Sequence, residues 1–179
     1  KNIFLKKRKT KLGIGSAHKA GFKWALEKKY KTIITMDCDG THNPKYINKM
    51  VNLLRKKKFD IVSTNRFLNS DSLKNWSYWR KSLTKLRHLV IKNLFNIKYD
   101  SSGAFRCYNF NSVNLRDLLE AKNNSYSFFW QSIIILSRKN YKIHEIAINL
   151  PARSIGSSKM KLKDILSALL TILSFYLKN

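Results

Sequence analysis

Acidic side chains are scarce in this chain: 10 Asp and Glu stand against 36 Lys and Arg in 179 residues, a formal net charge of +26. Such an excess predicts attraction to polyanions, whether nucleic acid, anionic lipid or phosphorylated substrates. Compositional drift toward lysine produces the same excess on any fold, so charge alone selects no function. Cysteine is nearly absent. Cys38 and Cys107 are far apart and form no metal-ligand spacing, which leaves reduced thiols in a cytosolic setting as the simplest reading. No run of apolar residues is long enough to cross a bilayer. The longest uncharged stretch near the end, residues 165–177, has 13 residues where a span takes about 20. There is no signal peptide, no initial Met, no internal repeat and no linker, and the opening "KNIFLKKRKTKLGIG" reads like the middle of a protein.

What is present is the composition of a folded domain. A hydrophobic content of 44% excludes a disordered basic tail, and the length suits one domain over residues 1–179. Ser16 is placed to cap a helix with Ala17, Ala20, Trp24 and Ala25 on its apolar side. "KTIITMD" reads as a buried strand rich in β-branched residues. Pro44 suits the start of a helix carrying Ile47, Met50, Val51 and Leu54. "FDIVSTNRF" reads as a second strand. A basic amphipathic helix over residues 77–95 places Leu83, Leu86, Val90 and Leu94 on one side. After the loop "YDSSGAFRCY" come an extended segment and two helices, then a strand alternating through Ile146, Ile148 and Leu150. A loop, "ARSIGSSKMK", leads to a last helix within residues 160–179. Helices alternating with strands predict an α/β sheet protein. Polar residues at the carboxyl ends of its strands should line the ligand crevice, and Asp37, Asp39 and Arg66 fall there.

In "IITMDCDGTHNP" the two aspartates, one residue apart after a strand, have two readings. They form either an ordinary capped turn before Pro44 or a seat for one hard cation bound through oxygen. His42 reads as a turn residue bonded locally. "RSIGSSK" is a Gly/Ser-rich basic loop, either solvated or folded over phosphates. The last helix is either an interfacial amphipathic helix or a core-packing helix that closes the domain.

Several stretches in order resemble one family. "GIGSAHKAGFKWA" before "DCDGTHNP" is similar to the "GxGxAxxxG" helix and "DxDxxHxP" turn of dolichol-phosphate mannosyltransferase-like family 2 glycosyltransferases. "DIVSTNRF", "WRKSLTK", "DSSGAFRCY" and "ARSIGSSK" resemble that family's arginine-ended strand, acceptor helix, "DxTSGFRxY" loop and "RxxGxSK" loop. In "DSSGAFRCY" the Ser-Gly pair sits one position early. The resemblance covers nearly the whole chain and implies a GT-A fold, Rossmann-like, with a mixed sheet flanked by helices. The family's N-terminal nucleobase-binding strand has no counterpart in residues 1–12.

The resemblance implies inverting transfer of a sugar from a nucleotide-diphosphate sugar to a polyprenyl phosphate, dolichyl or undecaprenyl, at the cytoplasmic face of a membrane. The chain would be peripheral there, or anchored by segments outside it. It implies Mg²⁺ or Mn²⁺ on the catalytic Asp37 and Asp39, with Thr41 as a further metal-shell residue. Arg153 and Lys159 would take the donor diphosphate; Arg66, Arg80 and Thr84 would take the acceptor phosphate. Arg80 and Thr84 are four apart, on one helical face. Asp100, Ser102, Gly103 and Gln131 would shape the sugar pocket, Gln131 standing where relatives usually carry Glu. Two other readings remain at this stage: a basic nucleic-acid-binding module, for which no recognised motif appears, and a degenerate transferase without catalysis. No nucleic acid is expected under the leading one.

Overall fold

The computed structural model describes residues 3–151 and 162–178, the side chains of 162–167 excepted. Its elements run α1 (Ile14–Glu27), β1 (Thr32–Thr35), α2 (Tyr46–Lys56), β2 (Ile61–Asn65), a short 3-10 helix (Ser70–Leu73), α3 (Tyr78–Phe95), β3 (Arg106–Asn109), α4 (Leu115–Leu119), α5 (Ser127–Arg138), β4 (Ile143–Ala147) and α6 (Leu162–Leu177). Among the described residues the strands form one mixed sheet in the order β1-β3-β2-β4. β3 runs antiparallel to both neighbours, and β2 and β4 are parallel. The carboxyl ends of β1, β2 and β4 therefore lie at one edge, together with the loop that enters β3.

Alternation along the strands builds a core on each face. Ile61, Tyr108 and Ile143 face one side, where Phe22, Ile91, Phe95, Phe128 and Ile133 of the helices meet them, with Ile33 packed against this cluster. Val62, Cys107 and Ile146 face the other side, against Met50 and Leu54 of α2, with Ile34 packed there. The first face has an ordered change of character. Ile33, Tyr108, Ile61 and Ile143 pair across the sheet as one apolar row; two residues on, Thr35, Arg106, Ser63 and Glu145 pair as a polar row. The polar row lies nearer the carboxyl ends of β1, β2 and β4.

Several local expectations shift. β1 is shorter than "KTIITMD", because the chain turns at the aspartates. Ser16 lies inside α1, whose N-cap is Gly13 in a left-handed conformation, φ 89°. A Cβ at Gly13 would land on the Asn124 carbonyl oxygen, and one at Gly15 would stand 2.6 Å from Phe128 Cβ. The two glycines let the first turn of α1 lie directly on the α4–α5 connection, and the Ser16 hydroxyl instead accepts from Arg8. That seating rotates the buried face to Gly15, Phe22 and Ala25. In α3 the residues that reach the core are Ile91 and Phe95, with Val90 packed against the same cluster, while Leu86 and Leu94 are exposed; Phe175 and Tyr176 of α6 meet the Phe95 side.

Candidate functional site

β1 ends in the half-buried turn that carries both aspartates, with Cys38 exposed between them. Asp39 Oδ1 accepts from the Thr41 amide at 3.1 Å and the Thr41 hydroxyl at 2.6 Å. This side-chain-to-backbone turn fixes the carboxylate locally. The Asp37 amide donates to His42 Nδ1 at 2.8 Å, and that nitrogen lies 4.0 Å from Asp37 Oδ2. His42 is buried against Phe105. Burial lowers its pKa, against the pull of Asp37 and Asp39, and the charge of Arg66 lowers it further. With Nδ1 accepting from the backbone, His42 is a turn residue bonded locally. Among the described residues no three His, Cys, Asp or Glu side chains converge as a metal cage.

The second part of the site stands at the end of β2. Arg66 donates from Nε to Asp100 Oδ2 at 2.8 Å and from its amide to the same oxygen at 3.3 Å. Asp100 Oδ1 accepts from the Ser102 amide and hydroxyl. Burial alone would push the Asp100 carboxyl up; Arg66 and Ser102 outweigh it and hold the group below the usual carboxylate range. A Cβ at Gly103 would stand 3.6 Å from an Arg66 terminal nitrogen, so this loop packs under the guanidinium. Helix α3 lies over the pair. His88 stacks on Phe67 at 4.1 Å, and Arg87 is half-buried, its pKa lowered by burial and by the charge of Arg66. Arg80, Thr84 and Arg87 recur at i, i+4 and i+7, one helical face. The Arg80 guanidinium lies 3.6 Å over the Trp76 ring, whose indole donates to the Leu150 carbonyl.

The structure thus gathers Asp37, Asp39, Thr41 and His42 in one turn, and Arg66, Asp100, Ser102 and Gly103 in the adjoining strand-end cluster. Gln131 lies on α5, where its amide oxygen accepts from the Asn123 amide in the α4–α5 connection. Arg153 and Lys159 lie outside the described residues. Sequence reasoning missed three residues. Arg87 was detectable, being seven beyond Arg80. Glu145 receives the Asp100 amide at 2.7 Å and the Asn65 side chain at 2.8 Å; burial pushes its carboxyl up to about 7. Arg106 is fully buried and donates to Ser132 Oγ and to the Ser101 and Phe129 carbonyls, while its Nε has no partner among the described residues. Arg106 stood as the arginine of the "DSSGAFRCY" motif but its partners lie on other elements; Glu145 had no local signal, for the same reason.

Residues 1–122 match the family model described as glycosyl transferase family 2. The chain belongs to glycosyl transferase family 2. The mixed sheet flanked by helices is the GT-A arrangement of that family. The family 2 chain is 29% identical over 154 residues to an undecaprenyl-phosphate mannosyltransferase of Micrococcus luteus, covering 86% of this chain and 63% of the relative. It is 25% identical over 170 residues to a polyprenol monophosphomannose synthase of Mycolicibacterium smegmatis, covering 92% and 62%. The match therefore spans just under two-thirds of the length of these curated relatives.

Proposed function

We propose that the protein transfers a sugar from a nucleotide-diphosphate sugar to the phosphate of a polyprenyl lipid, with inversion at the sugar carbon. One observation carries this reading: at a single sheet edge, a turn holding two carboxylates adjoins an arginine cluster anchored on the buried Asp100. Carboxylates suit a cation, guanidinium groups suit phosphate, and the reaction needs both. The names of the two relatives make mannose the first sugar to test.

The donor set fits a small hard cation. Such an ion is held by one or two carboxylates, with phosphate oxygens and water completing its shell, so two aspartates without a third protein ligand are sufficient. When bound, Mg²⁺ or Mn²⁺ offsets the charge that develops on the departing diphosphate. Asp37 and Asp39 would hold it. Thr41 orients Asp39 through the bond to Oδ1 and so supports the ligand. An acceptor phosphate oxygen attacks the sugar carbon; the bond from that carbon to the donor diphosphate breaks, and its electron pair leaves on the diphosphate oxygen. A phosphate monoester is largely ionised near pH 7, so no side chain has to remove a proton. Arg66, Arg80 and Thr84 would hold the acceptor phosphate, with Arg87 adding charge on the same helical face. Arg153 and Lys159 are assigned to the leaving diphosphate. Asp100 and Ser102 support Arg66 in addition to any contact with the sugar; Gln131 is held by the α4–α5 connection.

The acceptor sets the location, at the cytoplasmic surface of a membrane. Among the described residues no helix is long and apolar enough to cross one. α6 buries Ile172 and packs Phe175 on Phe95 and Trp130, yet exposes Leu169, Leu170, Leu173 and Leu177. Its outward side suits an interfacial helix.

The test is nucleotide-sugar binding by the full-length protein with and without Mn²⁺. Mn²⁺ should tighten binding, and Asp39→Asn should abolish that enhancement. An unchanged metal response in the variant would overturn the assignment of the cation site.

A further inference from the structure

Glu145 is a carboxylate within the polar row of the sheet, on β4, and the transfer reaction described above gives it no task. Its row partner is Ser63 on β2, and Arg106 lies one strand further on. It forms no ion pair with Arg106; the contacts it makes lead instead toward the site. Oε1 accepts from the Asp100 backbone amide at 2.7 Å and Oε2 from Asn65 Nδ2 at 2.8 Å. Asn65 cannot turn its amide around without loss, since its Oδ1 accepts from the Phe67 amide at 2.7 Å. Asp100, held from below in this way, grips Arg66 at Nε. Four groups from β2 and its end, β4 and the loop before β3 are thus linked in one chain: Asn65 and the Asp100 amide both donate to Glu145, and Arg66 donates to the Asp100 carboxylate.

We propose that Glu145 is a positioning residue for Arg66, fixing Asp100 so that the guanidinium presents its terminal nitrogens to a phosphate monoester. The inference rests on the acceptor-site reading of Arg66 for its ligand, but not for its geometry. A guanidinium bound through Nε alone keeps its outer edge for a bidentate contact with phosphate. That edge is useful only if the whole group is prevented from rotating. The Asp100 carboxylate supplies the grip, but Asp100 belongs to a loop, and loops hold a geometry less firmly than strands. Glu145 ties that loop to the middle of the β2–β4 pair, where the parallel ladder runs from Ile61 to Asn65. The chemistry of the tie is specific. Both Glu145 oxygens accept from N–H donors, so a glutamine there must turn one amide N–H toward Asn65 Nδ2 or toward the Asp100 amide. Either choice sets donor against donor. Exchanging the pair restores the pattern: Glu145→Gln with Asn65→Asp lets the new amide donate to the new carboxylate, which still accepts from Phe67.

The experiment is a double-mutant cycle on the full-length protein: Glu145→Gln, Asn65→Asp and the two together. Two properties are read. One is solvent exchange of the Arg66 Nε–H by ¹⁵N NMR in the absence of ligand, the signal being assigned by its loss in Arg66→Lys. The other is affinity for farnesyl phosphate and, separately, for the nucleotide-sugar donor. Each single variant should speed Nε–H exchange and weaken farnesyl phosphate binding by about tenfold, leaving donor binding unchanged, and the pair should recover both to within about threefold. Three results would overturn the proposal: an unaltered Nε–H in the single variants, no recovery in the pair, or equal weakening of donor and acceptor with a lowered melting temperature. If Glu145→Gln does not fold, Asn65→Asp against the pair gives the same comparison. If the wild type ignores farnesyl phosphate while Nε–H exchange follows the cycle, the acceptor reading fails and the positioning role of Glu145 stands.

Discussion

Burial raises the Glu145 carboxyl to about 7 against two hydrogen bonds that favour its ionised form, so between pH 4.5 and 7 the folded chain holds a proton that the unfolded chain has released. Stability from this group is complete below the ordinary value of 4.5 and is lost as pH rises through 7. The loss is on the order of 3 kcal/mol. His18 has the opposite sign. Burial and then the nearby Arg106 push it down to about 4 from 6.5, so its contribution is complete above 6.5 and is lost as pH falls through 4. Urea denaturation from pH 4 to 8 should show Glu145→Gln removing the decline on the alkaline side and His18→Gln removing the one on the acid side. Glycines offer a second residue-scale comparison. Gly15→Ala would bring a Cβ within 2.6 Å of Phe128 Cβ on α5 and 2.9 Å of the Asn123 carbonyl oxygen in the α4–α5 connection. It should cost about 1–3 kcal/mol. At Gly21, inside the same helix, a Cβ meets nothing within 4 Å, and Ala should stabilise by up to about 1 kcal/mol. Thermal melts of the two variants should therefore move in opposite directions.

At the scale of elements, α3 and α6 each have two dissimilar sides. α3 delivers Ile91 and Phe95 to the core and Arg87 and His88 to the Arg66–Asp100 pair, leaving Tyr78, Trp79, Leu86 and Leu89 outward. α6 is fastened by Ile172 and by Phe175 against Trp130, with four leucines outward. The core-packing reading of the last helix holds for its Ile172 and Phe175 side; the proposed interfacial contact concerns the exposed leucines. The outward side has a direct test. Leu170→Glu with Leu173→Glu should leave the melting temperature within about 1 kcal/mol equivalent of the wild type, since both positions are exposed, and should reduce sedimentation with phosphatidylglycerol vesicles several-fold. Unchanged vesicle binding would remove α6 from the membrane contact. The local periodicities of both helices were legible in sequence, but not which flank is covered. That depends on how far one helix overlaps another, and no repeat within a single helix encodes it.

For the molecule as a whole, a net charge of +26 favours approach to any anionic surface and is screened beyond about 10 Å at 0.1 M salt. It therefore governs encounter rather than chemistry, and the basic composition alone would fit a nucleic-acid partner equally well. Under the proposed function, selectivity would have to come from the sheet edge. The sequence by itself determined the kinds of element, their order and the arrival of Asp37, Asp39 and Arg66 at strand ends, because periodicity and turn chemistry act over a few residues. It also carried the ordered motifs of family 2. Only the tertiary structure decided that Arg66 is gripped by Asp100, 34 residues on, and that Asn65 and Glu145, 80 apart, tie that loop from beneath. It likewise decided that Gln131 bonds the α4–α5 connection. These partners meet through the parallel register of β2 with β4 and the antiparallel pairing of β3 between β1 and β2. A pairing register is fixed by both strands together, so neither stretch of sequence specifies it alone.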